Sequence, residues 1–168
     1  MKKRVMVWCI LLLLGGSALI GCKTKNESDL DIRRVTLLRY VGDVFLIKMH
    51  VLAADGTLQS YKIQPSPDSR FDPFIGEMPS EDEYTLSERT ISKEDWDALI
   101  KVIDENNALR LPRNVSHSRS VYDADTIYIG IETEEAVFWT GGYNAGRGLD
   151  RANKRFRRIL NTLQSIVE

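Results

Sequence analysis

Cysteine and histidine are scarce in this chain, and their positions exclude several kinds of site. The two cysteines are Cys9 and Cys22, so nothing after Cys22 can form a disulfide or a thiolate metal site. The two histidines, His50 and His117, are too few for a zinc site of three or four protein ligands. We therefore predict no metal and no cofactor.

Proline is confined to a small part of the sequence. Four of the five prolines lie between Gln64 and Glu83, and the fifth is Pro112. Because proline interrupts helices and central strands, this distribution predicts a loop over Gln64–Glu83. The rest of the chain is available for regular structure.

The only long apolar run lies near the N-terminus. Residues 2–4 are basic, the stretch Val5–Leu14 is apolar, and Leu19-Ile20-Gly21-Cys22 follows. This order is typical of a secretory signal peptide. The apolar stretch that ends at Ile20 covers about 16 residues and is interrupted by glycines, whereas a spanning helix needs roughly 20. An uncleaved membrane anchor and an ordinary cleaved signal are the alternatives.

Leu19-Ile20-Gly21-Cys22 resembles the lipobox of bacterial lipoproteins. The resemblance implies cleavage before Cys22, acylation of Cys22 with two or three chains, and a lipid anchor in the cell envelope. In enteric-type bacteria an aspartate after the lipidated cysteine retains the protein in the inner membrane, and Lys23 occupies that position here. We expect the outer membrane in a Gram-negative source, and otherwise the outer leaflet of the plasma membrane.

The composition of the mature chain suits one domain. Removing residues 1–21, which hold three of the 23 basic residues, leaves 147 residues with 20 basic and 24 acidic side chains. This length can bury a core, and the acidic balance argues against a nucleic-acid partner. We predict a signal peptide over 1–21, a polar tether over 22–31 and a single α+β domain over 32–168.

Hydrophobic periodicity predicts the element order β-β-β-(β)-α-β-β-α. The predicted strands are Ile32–Val41, Val44–Leu52, Thr57–Ile63, Asp125–Ile131 and Ala136–Thr140, with a short edge strand at Tyr84–Ile91. Apolar stripes predict a helix that opens at Ser92 and a last helix that includes Phe156. This order predicts one antiparallel sheet of about five strands with two amphipathic helices on one face.

The element order and one sequence phrase resemble small envelope-lipoprotein domains of uncharacterised function. The phrase is Ile91-Ser92-Lys93-Glu94-Asp95-Trp96, which runs on to Leu111-Pro112. The resemblance implies a fold and assigns no activity.

Few residues are candidates for catalysis. His117 lies between two serines in a loop, but no nucleophile-elbow sequence is present. Asp123 and Asp125 lack the further oxygen ligands that a calcium loop needs. An enzyme would need a site assembled from distant carboxylates such as Asp123 and Glu132. We predict no catalytic residue.

Two regions near the C-terminus are candidates for binding an anion. The glycine-rich loop Gly141–Gly148 contains Tyr143 and Arg147 and precedes the last helix, but Asp150 should cap that helix and repel an anion. The outer face of the helix carries Arg151, Lys154, Arg155, Arg157 and Arg158. This face would suit acidic lipid headgroups or an acidic partner, or it is a solvated surface.

The sheet face that the helices leave uncovered is the last binding candidate. If the helices cover Val35, Ile47, Met49 and Ile129, the other face carries Tyr40, His50, Tyr128 and Trp139. Tyr61 joins either face, depending on the length of the Asp55-Gly56 hairpin loop. An open aromatic face would be a binding surface, unless the proline-rich segment folds over it. We take Tyr40, Tyr128, Trp139, Tyr143 and Arg147 as the predicted binding residues.

These observations favour an anchored binding protein over an enzyme. The preferred hypothesis is a non-enzymatic lipoprotein that binds an envelope protein or a cell-wall component. The alternatives are an inhibitor or immunity-type protein that protects the envelope, and a hydrolase with a carboxylate site.

Overall fold

The computed structural model describes residues 31–41, 46–66, 72–117 and 125–168. The predicted signal peptide, Cys22 and the tether as far as residue 30 lie outside these ranges. The described strands are β1 (Ile32–Val41), β2 (Leu46–Ala53), β3 (Thr57–Ile63), β4 (Tyr84–Thr90), β5 (Thr126–Thr133) and β6 (Val137–Tyr143). The described helices of more than one turn are α1 (Lys93–Glu105) and α2 (Arg151–Val167). Neither is both long and apolar enough to cross a membrane.

The described strands form one antiparallel sheet in the order β4-β3-β2-β1-β5-β6. The predicted α+β class and single antiparallel sheet are confirmed. The strand count was wrong, because the sheet has six strands and β4 pairs with β3 along its whole length. Apart from the half-buried Tyr84, every residue of β4 is exposed, so the strand carries no clear apolar alternation.

Both helices pack on one face of the sheet, which we call the helix face. Its fully buried side chains come from strands and helices alike and include Val35, Leu52, Ile129, Phe156 and Leu163. The two helices also contact each other. Burial of these apolar stripes is the main force that holds the layers together.

Side-chain caps explain where both helices begin. The Ser92 hydroxyl accepts a hydrogen bond from the Asp95 N–H at 3.1 Å, and the Asp150 carboxylate accepts one from the Asn153 N–H at 2.9 Å. Each cap satisfies a backbone donor that has no partner inside its helix. The predicted caps at Ser92 and Asp150 are therefore confirmed.

The predicted sheet face was wrong for three residues of β2. His50 lies directly opposite Leu37 on the helix face, whereas Ile47 and Met49 lie on the other face with Leu38. The alternation was ambiguous because β2 is apolar on both faces. The register between β1 and β2 decides which face of β2 packs against the helices, and the alternation within β2 does not contain that register.

The predicted basic outer face of α2 also needs correction. The Arg155 side chain donates hydrogen bonds to the carbonyl oxygens of Asn106 and Asn107, at 2.5 and 2.6 Å. These bonds satisfy carbonyls at the C-terminus of α1, where a cation is favoured. Arg157 lines a cavity beside the sheet. Arg155 is therefore half-buried and bonded to the end of α1, whereas Arg151, Lys154, Arg157 and Arg158 are exposed as predicted.

The predicted glycine-rich loop begins later than expected, because β6 continues through Gly141 and Gly142 to Tyr143. The segment 112–117 runs along the outer side of this half of β6, and the Val115 N–H donates to the Gly141 carbonyl at 2.8 Å. At Gly141, φ is +153° and an added Cβ would lie 2.1 Å from the Ile127 carbonyl oxygen. Only glycine fits this position in the strand.

Candidate functional site

Three of the predicted binding residues meet on the face of the sheet opposite the helices. The rings of Tyr40 and Tyr128 pack edge to face with centroids 6.3 Å apart. Phe74 lies 4.9 Å from Tyr128 and 5.0 Å from Trp139, in edge-to-face contact with both. We call the cluster of Tyr40, Phe74, Tyr128 and Trp139 the aromatic patch. Edge-to-face geometry of this kind adds about 0.5–1.5 kcal/mol per pair beyond the buried area.

Phe74 comes from the proline-rich segment, and its place in the patch was not predicted. Pro73 opens a short 3-10 turn, and the Asp72 carboxylate accepts a hydrogen bond from the Phe74 N–H at 2.9 Å. Gly76 closes the turn with a left-handed φ of +81°. The segment thus covers part of the aromatic face, as the alternative interpretation expected, while Phe74 itself remains 39% exposed.

Gly130 explains how Trp139 lies against the sheet. The two residues are directly opposite on β5 and β6, and an added Cβ at Gly130 would lie 2.8 Å from two atoms of the indole ring. The missing side chain lets the ring lie across the neighbouring strand. The indole N–H is buried and has no acceptor among the described residues.

The strand register also shows on which face of the sheet Tyr61 and Tyr143 lie. Tyr61 lies opposite Met49 on the aromatic side and packs on Tyr84 with ring centroids 5.4 Å apart. Tyr143 lies opposite Thr126, which lies opposite Tyr40, so Tyr143 shares that face at its far end. Arg147 is elsewhere, beside a cavity of about 210 Å³ on the helix side.

Among the described residues, no strand or loop pairs with the outer side of the first half of β6. The Gly141 N–H donates to the Arg113 carbonyl and its C=O accepts from the Val115 N–H, so both groups point away from β5. Backbone groups two residues apart along a strand point the same way. The N–H and C=O of Trp139 and Val137 therefore also point outward. No described backbone group bonds to them on that side.

Apolar side chains surround this open edge. Val137 is 53% exposed and Phe138 is 40% exposed. A cavity of about 700 Å³ borders both, and its wall includes Trp139, Leu109 and Phe74. Unpaired strand edges with apolar side chains are sites at which another extended chain can pair. We call the segment Val137–Trp139 the β6 edge.

A second cavity, of about 450 Å³, lies on the helix side of the sheet. Arg39, Lys48 and Lys62 lie directly opposite one another on β1, β2 and β3 and form a row of three cations along its floor. The last turns of α2 line the other side. We call this cavity the cationic pocket.

Like charges directly opposite on neighbouring strands destabilise a sheet. The Arg39 guanidinium is hydrogen-bonded to the Asp125 carboxylate, whereas Lys48 and Lys62 have no ion pair within the described ranges. We expect Lys62→Gln to raise the free energy of unfolding by about 0.5 kcal/mol. Urea denaturation at low ionic strength measures this, with Lys154→Gln on the outer face of α2 as the matched control. An equal gain in the control would contradict the assignment to the Lys48–Lys62 pair.

His50 lies in the wall of the cationic pocket, and its Nδ1 is 2.8 Å from the Ser60 hydroxyl. Burial first, and then the charges of Lys48 and Arg89, lower the pKa of His50 from its ordinary value of 6.5, while Glu168 acts in the opposite direction. His50 and Ser60 lie directly opposite each other on β2 and β3. β3 pairs with β2 on one side and with β4 on the other, so the backbone N–H groups around Ser60 are used in the sheet. They are not available to form the oxyanion hole that a Ser60 nucleophile would need.

The lowered pKa of His50 makes stability depend on pH. Below about pH 6.5 the unfolded chain binds a proton at this residue more readily than the folded chain does. Acidification from about pH 7 to about pH 5 should therefore lower the free energy of unfolding, and His50→Gln should reduce that fall. Urea denaturation at the two pH values measures the difference. The same fall in both proteins would show that His50 is not the group responsible.

The carboxylates considered for catalysis do not form a described pair. Asp123 lies outside the described residues, Asp125 is bonded to Arg39, and a Glu132 carboxylate oxygen is 3.7 Å from the Arg34 side chain. The backbone N–H of His117 donates to the Tyr143 carbonyl at 3.0 Å. Among the described residues, no three His, Cys, Asp or Glu side chains are grouped so that they could hold a metal.

No protein-family model matches this chain, and no curated protein matches it significantly.

Proposed function

We propose that this protein is a cell-envelope lipoprotein, anchored by acyl chains on Cys22, whose α+β domain is a non-enzymatic module that binds another envelope protein. The anchor is inferred from Leu19-Ile20-Gly21-Cys22 and the apolar run before it. In a Gram-negative source the location would be the outer membrane, and otherwise the outer leaflet of the plasma membrane.

The observation that carries the binding proposal is the β6 edge. Its outward N–H and C=O groups at Val137 and Trp139 have no partner among the described residues, and exposed apolar side chains flank them. A partner that supplies an extended segment would satisfy these groups and add a seventh strand beside β6.

A protein partner suits this edge better than a cell-wall glycan. Backbone donors and acceptors alternate along a strand at a fixed spacing, and an extended peptide has the same spacing. The cavity beside the edge would take apolar side chains of that peptide, and Phe74 and Trp139 would contact them. Aromatic side chains are common at the centres of protein interfaces.

Photocrosslinking in intact cells tests the proposal. The full chain would carry a photoreactive phenylalanine analogue at position 137, and a matched control would carry it at position 101, an exposed site on α1. We expect a light-dependent adduct with an envelope protein from position 137 and none from position 101. The same adducts from both positions, or none from position 137, would overturn the proposal.

The identity of the crosslinked protein also separates the binding roles. A resident envelope protein supports an assembly partner. A secreted lytic enzyme, whose activity falls when the complex forms, supports the inhibitor or immunity role.

A further inference from the structure

The cationic pocket is on the opposite face of the sheet from the aromatic patch, and its chemistry is different. Two lysines lie side by side in its floor without a carboxylate partner in the described parts of the chain. Lys48 is half-buried, so its charge is less screened than that of a fully exposed residue. A compact anion between Lys48 and Lys62 would relieve their repulsion.

The remaining lining of the pocket is of two kinds. Hydroxyl groups come from Ser60, Thr85 and Ser87, on the same strands as the lysines or the next one. Apolar side chains come from both walls: Leu37 and Ile127 lie on the sheet, and Leu160 and Val167 lie on α2. The cavity therefore suits a ligand with an anionic head and an apolar body, and about 450 Å³ is within the range of small-molecule sites.

The kind of cation favours phosphate over a planar carboxylate. The guanidinium of Arg39, whose fork would bind a carboxylate with two parallel bonds, is already bonded to Asp125. Lysine ammonium groups act as point charges without a preferred plane, and with hydroxyl donors they match the several oxygens of a phosphate group. One carboxylate, Glu168, also lines the pocket and would repel an anion.

We propose that the cationic pocket binds a phosphate ester with an apolar body, with the phosphate at Lys48 and Lys62 and the apolar body against Leu160 and Val167. The site is separate from the proposed docking of an envelope protein at the β6 edge. A lipid headgroup and a soluble phosphate ester both have this chemistry.

Isothermal titration tests the proposal on the full-length protein in dodecyl maltoside micelles, which contain no phosphate, with phenyl phosphate as the probe. We expect phenyl phosphate to bind about tenfold more tightly than inorganic phosphate, and benzyl alcohol not to bind. Lys48→Gln and Lys62→Gln should each weaken binding by about tenfold, because each removes a charge-assisted hydrogen bond. Glu168→Gln should strengthen binding, and added salt should weaken it.

Control variants separate the pocket from a general effect of charge. Lys154→Gln, on the outer face of α2, should leave the affinity unchanged, and Lys62→Arg should retain most of it. Thermal unfolding of each variant checks that it is folded. Absence of phenyl phosphate binding at millimolar concentration, or equal affinity in wild type, Lys48→Gln and Lys62→Gln, would overturn the proposal.

The source of the ligand is assigned by repeating the titration with phosphatidic acid added to the micelles. Loss of phenyl phosphate binding identifies a lipid headgroup, whereas unchanged binding identifies a soluble ester. Both results support a phosphate site, provided that the lysine variants weaken binding in the first titration.

Discussion

Cys22→Ala is expected to abolish palmitate labelling of the protein and to release it from the membrane fraction. The acyl chains are attached only at this residue in the proposed mature form, and each buried CH₂ contributes about 0.8 kcal/mol to membrane binding. Two or three chains hold a protein firmly, so their removal leaves no comparable attachment. Radiolabelled palmitate and membrane fractionation measure both effects in one culture.

Cys9→Ala is the matched control for the anchor. Cys9 lies inside the predicted signal peptide, so its replacement should leave label and membrane retention unchanged. A wild-type protein that stays in the membrane without label would refute lipidation and favour an uncleaved anchor. A wild-type protein that is exported, unlabelled and released would favour an ordinary signal peptide.

Phe156→Ala is expected to lower the free energy of unfolding by about 3–5 kcal/mol. Phe156 has no exposed surface and lies in the main core between α2 and the sheet. Truncation removes the buried ring and leaves a cavity that its neighbours fill only in part. Because a domain of this kind is stable by about 5–15 kcal/mol, the loss is a large share of the total.

Phe138→Ala is the matched control for the core. The same chemical change is made at a side chain that is 40% exposed at the β6 edge. We expect a smaller loss, of about 1–2 kcal/mol, because part of the Phe138 ring is already exposed to solvent in the folded protein. Urea denaturation of both variants measures the difference, and equal losses would contradict this description of the core.

Local patterns in the sequence were sufficient to predict the helices. Stripes of apolar residues at helical spacing placed Leu99 and Phe156 on buried faces, and Ser92 and Asp150 marked the helix starts. These signals depend on neighbours within a few positions along the chain. The strands and the α+β class could be predicted for the same reason.

The sites depend on register between strands, which local patterns do not contain. Lys48 and Lys62 are each seven positions from Asp55, so a three-residue hairpin loop places them opposite each other. The equal spacing is visible in the sequence, but it predicts a Lys48–Lys62 pair only if the hairpin loop is known to have three residues. The unknown register between β1 and β2 likewise led to the wrong prediction that His50 lies on the aromatic face.

The contact of Phe74 with the aromatic patch and the β6 edge could not be predicted from the sequence for a different reason. Phe74 reaches the aromatic patch through a turn in a proline-rich segment, which has no periodicity to interpret. The edge depends on segment 112–117 covering Gly141 and Tyr143 while leaving Val137 and Trp139 uncovered. A contact between segments so far apart along the chain leaves no local pattern.

Strand addition at the β6 edge is tested most directly by comparing the envelope proteins that wild type, Val137→Pro and Val137→Ala capture after crosslinking in cells. Val137 is the first residue of an edge strand and its N–H points outward, so proline there should leave the ladder with β5 intact. We predict that Val137→Pro, with an unfolding temperature close to that of the wild type, no longer captures the partner, while Val137→Ala does. Equal capture by Val137→Pro and wild type would contradict docking by strand addition.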